Sequence, residues 1–228
     1  MIFNQFFDEV SSTYTYLLSS GKGREALIID PVIEKTDEYI SYLKKLDLKL
    51  VKVIDTHIHA DHISGMQELH KQTDCVSVLG ENSQSEVVNI KVKDNEKIKI
   101  DNIELTSMYT PGHTDCSYSF LTKDRIFTGD TLLINGTGRT DFQNGSPIDQ
   151  YHSLFDRILK LPEKIFVYPA HDYKGNKVST IGEQKRNNPR LKVKSAAQYA
   201  EIMNNLNLDT PKLMNIAIPA NIKGKTLG

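Results

Sequence analysis

Four apolar segments of this chain run directly into a histidine or an aspartate, and this pattern constrains the fold more than any other feature. The segments VKVIDT, MYTPG, IFTG and VYPA precede His57, His113, Asp130 and His171, respectively. Runs rich in β-branched and aromatic residues predict strands, and loops at strand ends are where rigid scaffolds display functional groups. The sequence therefore predicts candidate ligand residues at the ends of four strands.

The segment DTHIHADH, residues 55–62, adds a dense supply of metal ligands. In an extended backbone His57, His59 and Asp61 project to the same side, because side chains alternate with period two. His62 would point the other way unless the chain turns there. Imidazole and carboxylate together suit borderline divalent metals such as zinc or iron. The cluster predicts a metal site but leaves the number of ions open.

The other predicted elements mix without regular βαβ alternation. Strands are predicted in residues 12–20, 25–31, 48–59, 75–80, 96–113, 118–133 and 163–173, and helices in residues 36–46, 62–73, 146–162 and 195–208. Ser146 is predicted to cap the third helix, with Pro147 in its first turn, and Thr36 to cap the first. The predicted apolar face of the third helix comprises Ile148, Tyr151, Phe155, Ile158 and Leu159. This order favours two sheets covered by helices, and no GxGxxG fingerprint of a Rossmann fold occurs.

Composition argues against several classes of protein. A net charge of -1 over 228 residues gives no reason to expect binding to nucleic acid or membrane. The N-terminus has no basic region typical of a secretory signal, and no apolar run reaches transmembrane length. Cys75 and Cys116 form no CxxC pair and are interpreted as buried apolar residues in strands, which favours a reducing, cytoplasmic setting. His70 and His152 are interpreted as ordinary surface or core residues, and Asp55 as a structural hydrogen-bond acceptor.

The motifs THIHADH, PGHTD, FTGDTL and YPAHDY together resemble the metallo-β-lactamase superfamily. The metal motif of that superfamily is HxHxDH followed by a distant His, Asp and His. All seven positions are present, as His57, His59, Asp61, His62, His113, Asp130 and His171. The resemblance implies an α/β (α+β) fold, an αββα sandwich with the metal site at one rim of two sheets. It also implies a core at residues 1–175 and a short C-terminal helical extension, residues 176–228, packed on that core.

Longer segments resemble one family within the superfamily, the persulfide dioxygenases of the ethylmalonic-encephalopathy protein type. These segments are TGDTLLINGTGRTDFQNGS, YPAHDYKGN, STIGEQKRNNPRL and the tail EIMNNLNLDTPKLMNIAIPAN. The resemblance implies one Fe(II) per chain, held by His57, His113 and Asp130. The remaining ligand-type residues would then support these ligands or hold a second metal, and they are His59, Asp61, His62 and His171. The chain departs from the family at Thr137, where a cysteine is frequent.

The resemblance implies an oxidoreductase of hydrogen sulfide metabolism that uses O₂ to oxidise glutathione persulfide to sulfite and glutathione. Arg139, Tyr173 and Lys174 are the candidate substrate-binding residues, and Arg190 is a weaker one. The planar fork of Arg139 suits a glutathione carboxylate, but it suits Asp141 equally well. We expect a cytoplasmic enzyme with a small-molecule substrate and without nucleic-acid or membrane partners, and leave a homodimer open.

Two other functions are compatible with the sequence. All seven ligand positions permit a dinuclear zinc thioester hydrolase that resembles glyoxalase II and uses a bridging hydroxide. The segment GRTDFQ and the short stretch after His171 argue against it. The second alternative is a non-catalytic, metal-bound thiol or redox sensor.

Overall fold

Two six-stranded mixed sheets form the centre of the computed structural model, which describes residues 1–227. The first sheet has the order β1-β2-β3-β4-β5-β6 and the second β12-β11-β10-β9-β8-β7. The strands of the first sheet are β1 (Ile2–Asp8), β2 (Thr13–Ser19), β3 (Glu25–Ile29), β4 (Lys49–Ile54), β5 (Val76–Gly80) and β6 (Ile90–Val92). Those of the second are β7 (Lys97–Ile100), β8 (Ile103–Tyr109), β9 (Tyr118–Leu121), β10 (Arg125–Gly129), β11 (Phe166–Pro169) and β12 (Ser179–Thr180).

Helices cover the outer face of each sheet, which confirms the expected αββα sandwich. They are α1 (Thr36–Lys45), α2 (Met66–Thr73), α3 (Pro147–His152), α4 (Ile181–Asn187), α5 (Ala196–Asn204) and α6 (Met214–Lys223). Tyr16, Phe120 and Phe127 belong to the core between the sheets. Residues of α1 and α2 pack with the first sheet in a second core, and residues of α4 and α5 pack with the second sheet in a third. No helix within residues 1–227 has the length and apolar character needed to cross a membrane.

The predicted C-terminal extension packs on the outer faces of both sheets. Its residues supply β12 to the second sheet and Tyr199 and Met203 to the core beside it. Ile218 and Ile222 of α6 pack on the opposite face of the sandwich. Its last residue, Gly228, lies outside the described part of the chain.

The third predicted helix is irregular, and this makes one predicted core residue wrong. Ser146 caps α3 as expected and accepts a hydrogen bond from the backbone N–H of Asp149. After α3 the chain forms a π turn (Ser153–Arg157) and a 3₁₀ turn (Ile158–Lys160). A change in residues per turn rotates the apolar face. Ile148 therefore falls off the face that buries Ile158, and it is 42% exposed.

The predicted cap of the first helix is also wrong. A 3₁₀ turn (Ile33–Lys35) leads directly into α1, and the position before the helix is Lys35, which makes no side-chain cap. The Thr36 hydroxyl instead donates to the carbonyl of Ile33, 2.9 Å away. Sequence reasoning also missed β1, β6, β12, α4 and α6. Only α4 carried a clear signal, the capping box formed by Thr180 and Glu183.

Contacts between the two sheets bring their strand ends to one rim. The backbone N–H of Tyr14, in β2, donates to the carbonyl of Ala170, which follows β11. The hydroxyl of Tyr16 donates to the carbonyl of Pro169 at 2.6 Å, and Thr13 forms an isolated bridge with His171. The first sheet therefore meets the end of β11 where the candidate ligands lie.

Candidate metal centre

Three of the predicted ligands converge at this rim. His57, His113 and Asp130 each offer one ligand atom, and the three atoms lie within 4.8 Å of one another. The Nε2 atom of His113 is 3.5 Å from Oδ2 of Asp130. The rings of His57 and His113 are nearly perpendicular, with centroids 4.9 Å apart. The structure thus brings together the three residues expected to hold iron, and their role as ligands stays a prediction.

Hydrogen bonds on the far side of each imidazole leave its Nε2 atom facing the cluster. The Nδ1 atom of His113 lies 2.7 Å from the Arg139 carbonyl, which can only accept, so Nδ1 carries the proton. The Thr56 hydroxyl donates to Asp30, so it accepts from Nδ1 of His57 at 2.9 Å. Such partners fix the ring orientation and tautomer of metal-binding histidines.

His171 lies between two carboxylates. Its Nδ1 atom is 2.7 Å from Oδ1 of Asp130, and its Nε2 atom is 2.8 Å from Oδ2 of Asp61. Burial alone would lower the pKa of His171, but the two carboxylates raise it well above its ordinary value. Burial likewise opposes ionisation of Asp130, yet His171 keeps the pKa of that carboxyl well below its usual range. His171 therefore links the two carboxylates, since it holds Asp130 through Nδ1 and Asp61 through Nε2.

A second cluster of ligand-type residues lies beside the first. His59, Asp61 and His62 offer ligand atoms within 4.8 Å of one another. Nδ1 of His59 and Nε2 of His62 are buried and have no hydrogen-bond partner among residues 1–227. Two buried nitrogens without partners suit a cation. The geometry therefore does not by itself fix the number of metal ions.

Sequence reasoning missed two residues that support the site. Asp30, which follows β3, accepts hydrogen bonds from the backbone N–H and hydroxyl of Thr56 and lies 3.2 Å from Nε2 of His59. The strand-end pattern that marked the other ligands also occurs in EALIID and could have identified Asp30. The hydroxyl of Thr13 lies 3.0 Å from Nε2 of His171, and nothing in its local sequence signals that contact.

Asp55 was expected to be a structural hydrogen-bond acceptor, and only one of its two carboxylate oxygens has a partner. It contacts Ser64, but its Oδ1 atom is buried without a hydrogen-bond partner among residues 1–227. Burial, followed by the charge of Asp30, raises the pKa of this carboxyl well above its usual range. The Asp55 carboxyl therefore holds its proton at pH values where an ordinary aspartate has lost it.

The candidate substrate residues have different surroundings. Arg139 forms a two-pronged ion pair with Asp141, with Nε–Oδ1 and Nη2–Oδ2 distances of 2.7 Å. Tyr173 is 71% exposed, and its ring is parallel to that of His171 at a centroid distance of 6.2 Å. Lys174, the next residue, is exposed. Tyr173 thus lies beside His171, and Lys174 follows it on the surface. Asp141 occupies the guanidinium of Arg139, and the substrate roles of all three residues stay predictions.

Arg190, the weaker substrate candidate, is half-buried behind the site. Its guanidinium donates to the backbone carbonyl of Thr137 and, at 3.1 Å, to the hydroxyl of that residue. These contacts hold the loop that carries Arg139. They give Arg190 a structural role and leave its contact with substrate a prediction.

The ordinary roles assigned to two histidines agree with their contacts. Nδ1 of His70 lies 2.6 Å from the Cys75 carbonyl, and exposed His152 pairs with Asp156.

Cys75 and Cys116 are free and buried, as expected. Their predicted placement in strands is wrong, because each lies in the loop that precedes a strand. For Cys75 the cause is the left-handed residue Asp74, which ends α2 and delays strand pairing to Val76.

Comparison with known proteins places this geometry in a family. The model of the metallo-β-lactamase superfamily matches residues 8–87 and 83–171. The human protein "Persulfide dioxygenase ETHE1, mitochondrial" is 40% identical over 226 residues, covering 98% of this chain and 88% of the relative. The crystal structure of ETHE1 from Myxococcus xanthus superposes with a TM-score of 0.95 at 46% identity, covering 97% of this chain and 98% of that one.

A hydrolase is a more distant relative. Hydroxyacylglutathione hydrolase from Dictyostelium discoideum is 32% identical over 170 residues, covering 70% of this chain and 62% of the hydrolase. The persulfide dioxygenases match at higher identity over almost the whole chain. This chain belongs to the persulfide dioxygenase family of the metallo-β-lactamase superfamily.

Proposed function

We propose that this chain is a persulfide dioxygenase that works with one Fe(II), held by His57, His113 and Asp130. Family membership supports the reaction. The observation that carries the proposal of one metal is the state of His171. Both of its ring nitrogens are hydrogen-bonded to carboxylates, so His171 offers no lone pair to a second ion.

The donor set fits a ferrous ion. Two imidazoles and one carboxylate on one side of an octahedral ion form the pattern of non-haem Fe(II) oxygenases and leave positions open. Burial, and then the neighbouring His59 and His113, lower the pKa of His57, which keeps its imidazole neutral and able to bind metal. A bound ferrous ion would supply the activation of O₂. One carboxylate leaves the centre with net positive charge, which favours an anionic persulfide.

The proposed substrate is glutathione persulfide. One persulfide, one O₂ and one water give one glutathione and one sulfurous acid, which ionises to sulfite. Both oxygen atoms of O₂ bond to the terminal sulfur, and water supplies the third oxygen as the sulfur–sulfur bond breaks. The sulfane sulfur loses four electrons and O₂ gains four, so no further reductant is needed.

The residues at the mouth of the site would bind the glutathione part. The exposed ring of Tyr173 lies beside His171 and offers an apolar face to the peptide backbone of glutathione. The ammonium group of Lys174 would attract its carboxylates. Arg139 would contribute if a substrate carboxylate replaced Asp141 on its guanidinium, an exchange between chemically equivalent partners.

A dinuclear thioester hydrolase is the second candidate, and one observation favours it. The unpartnered nitrogens of His59 and His62 lie next to Asp61, which is the arrangement that a second ion would need. In that case His171 would have to give up its contact with Asp61 to bind the ion.

Substrate turnover separates the two candidates. Iron-loaded protein is expected to consume O₂ when glutathione persulfide is added and to release sulfite in a one-to-one ratio. The same protein is expected to leave the thioester S-lactoylglutathione intact. Thioester cleavage without persulfide-dependent O₂ uptake would contradict the proposal. A cytoplasmic location and a homodimer are further parts of the proposal, to be tested by cell fractionation and by light scattering.

A further inference from the structure

The C-terminal helix α6 reaches the loop that carries the HxHxDH residues. Nδ2 of Asn221 donates to the backbone carbonyls of His59 and His62, at 2.9 and 3.0 Å. Oδ1 of the same side chain accepts from the backbone N–H of Ser64 at 2.8 Å. One amide therefore engages three backbone groups of residues 59–64.

These contacts match the chemistry of an amide. Residues 55–62 form neither a helix nor a strand, so their backbone groups depend on partners outside regular secondary structure. A primary amide supplies two N–H donors and one acceptor, and Asn221 uses all three. A carboxylate of the same shape could accept from Ser64 but would repel the two carbonyls.

The amide is presented by a well-anchored helix. Ala217 of α6 is fully buried, and Ile218 and Ile222 pack on the outer core of the first sheet. The carbonyl of Ile222 accepts from the backbone N–H of Glu86 at 3.0 Å. Gly224 ends the helix in the left-handed conformation, with φ of 69°. The position of Asn221 is therefore fixed by contacts that do not involve the metal centre.

The loop that Asn221 holds leads to a predicted iron ligand. Asp61 lies within this loop, and its carboxylate binds Nε2 of His171. His171 in turn binds Asp130 through Nδ1. A shift of the loop would move Asp61, then His171, and then Asp130.

We propose that Asn221 is a positioning residue of the metal centre, and that docking of α6 is thermodynamically coupled to metal binding. The inference rests on the metal centre of the proposed function but not on its reaction. Coupling is reciprocal. A helix that tightens the metal site must itself be stabilised when metal binds.

Metal affinity of matched variants tests the proposal. Co²⁺ serves as the probe, because its visible absorption reports the ligand field and its affinity can be measured against a chelator. Asn221→Asp is expected to weaken Co²⁺ binding about tenfold or more, the size of loss seen for partners of metal ligands, and to change the spectrum. Asn221→Ala, which adds no charge, is expected to weaken it as well. The control is Asn215→Asp, an exposed position of the same helix, which should leave affinity and spectrum unchanged.

A measurement on the unmodified chain covers the case in which the variants fail to fold. Amide hydrogen exchange of residues 214–223 should slow when Co²⁺ is added. Unchanged exchange there, or wild-type affinity in Asn221→Asp, would overturn the coupling while leaving the proposed function intact. Failure of the unmodified chain to bind Co²⁺ would instead overturn the metal centre and the inference together.

Discussion

At the scale of residues, His171 and Asp130 have different roles in the site. Asp130 directs Oδ2 towards His113, whereas its Oδ1 is held by His171. The sequence predicted that both would lie at strand ends, because each follows an apolar run. The sequence could not assign their roles, because those depend on hydrogen bonds between residues far apart in the chain. His171 is 41 positions from Asp130 and 110 positions from Asp61.

Loss of Asp130 should remove the metal without unfolding the chain. Asp130→Ala deletes the only carboxylate among the three predicted ligands, and the site lies at the rim of the sheets rather than in a core. We expect iron content and O₂ uptake to fall to background while the circular dichroism spectrum is retained. The control is Asp156→Ala, which removes an exposed carboxylate that pairs with His152. Full iron content and normal turnover in Asp130→Ala would exclude Asp130 as a ligand.

Loss of His171 should be milder than loss of His57. His171→Ala removes a partner of Asp130, and such changes typically cost about 10–100-fold in metal affinity or activity. His57→Ala removes a predicted ligand and should cost more in both. Iron content and O₂ uptake are compared in the two variants, prepared side by side without air. Equal metal loss would instead indicate that His171 binds a metal directly.

At the scale of elements, α5 supports the loop that follows β10. The Tyr199 hydroxyl lies 2.7 Å from Oε1 of Gln150 and 3.0 Å from the hydroxyl of Thr137. The neighbouring Gly138 donates its backbone N–H to the Asp130 carbonyl at 2.7 Å. The helical pattern of residues 195–208 predicted α5, but not its contact with this loop, because that contact joins residues 62 positions apart.

Removal of one hydroxyl tests this support. Tyr199→Phe leaves buried Gln150 and Thr137 each without one hydrogen-bond partner, which should cost about 1–3 kcal/mol of unfolding free energy. The free energy is measured by urea denaturation of the metal-free chain. Tyr42→Phe is the control, since Tyr42 packs edge-on against Phe6 and makes no side-chain hydrogen bond within residues 1–227. Equal stability of Tyr199→Phe and the unmodified chain would show that the hydroxyl contributes nothing.

At the scale of the whole molecule, we propose that residues 176–228 are an extension of the core domain rather than an independent unit. Tyr199, Met203 and Ile181 fill the core beside the second sheet, and α6 lies on the other side of the sandwich. The strongly patterned centre of the chain was predictable from sequence. The elements β1, β6 and α6 were not predictable. The two strands lie at the edges of the first sheet, and α6 contains Pro219 and lacks a side-chain cap.

Truncation tests this organisation. A chain that ends at residue 175 loses its buried partners on both faces, and we expect it to lack a cooperative unfolding transition. Differential scanning calorimetry of residues 1–175 beside the full chain measures this. A cooperative transition in the truncated chain would show that residues 1–175 fold alone.

The number of metal ions bound per chain tests the proposed single-iron centre. The chain is loaded with excess Fe(II) without air, freed of unbound ion and analysed by native mass spectrometry. One iron per chain is predicted, because His57, His113 and Asp130 form a complete set while His171 is bound by two carboxylates. Two metal ions per chain, with the second lost in His62→Ala, would contradict the account.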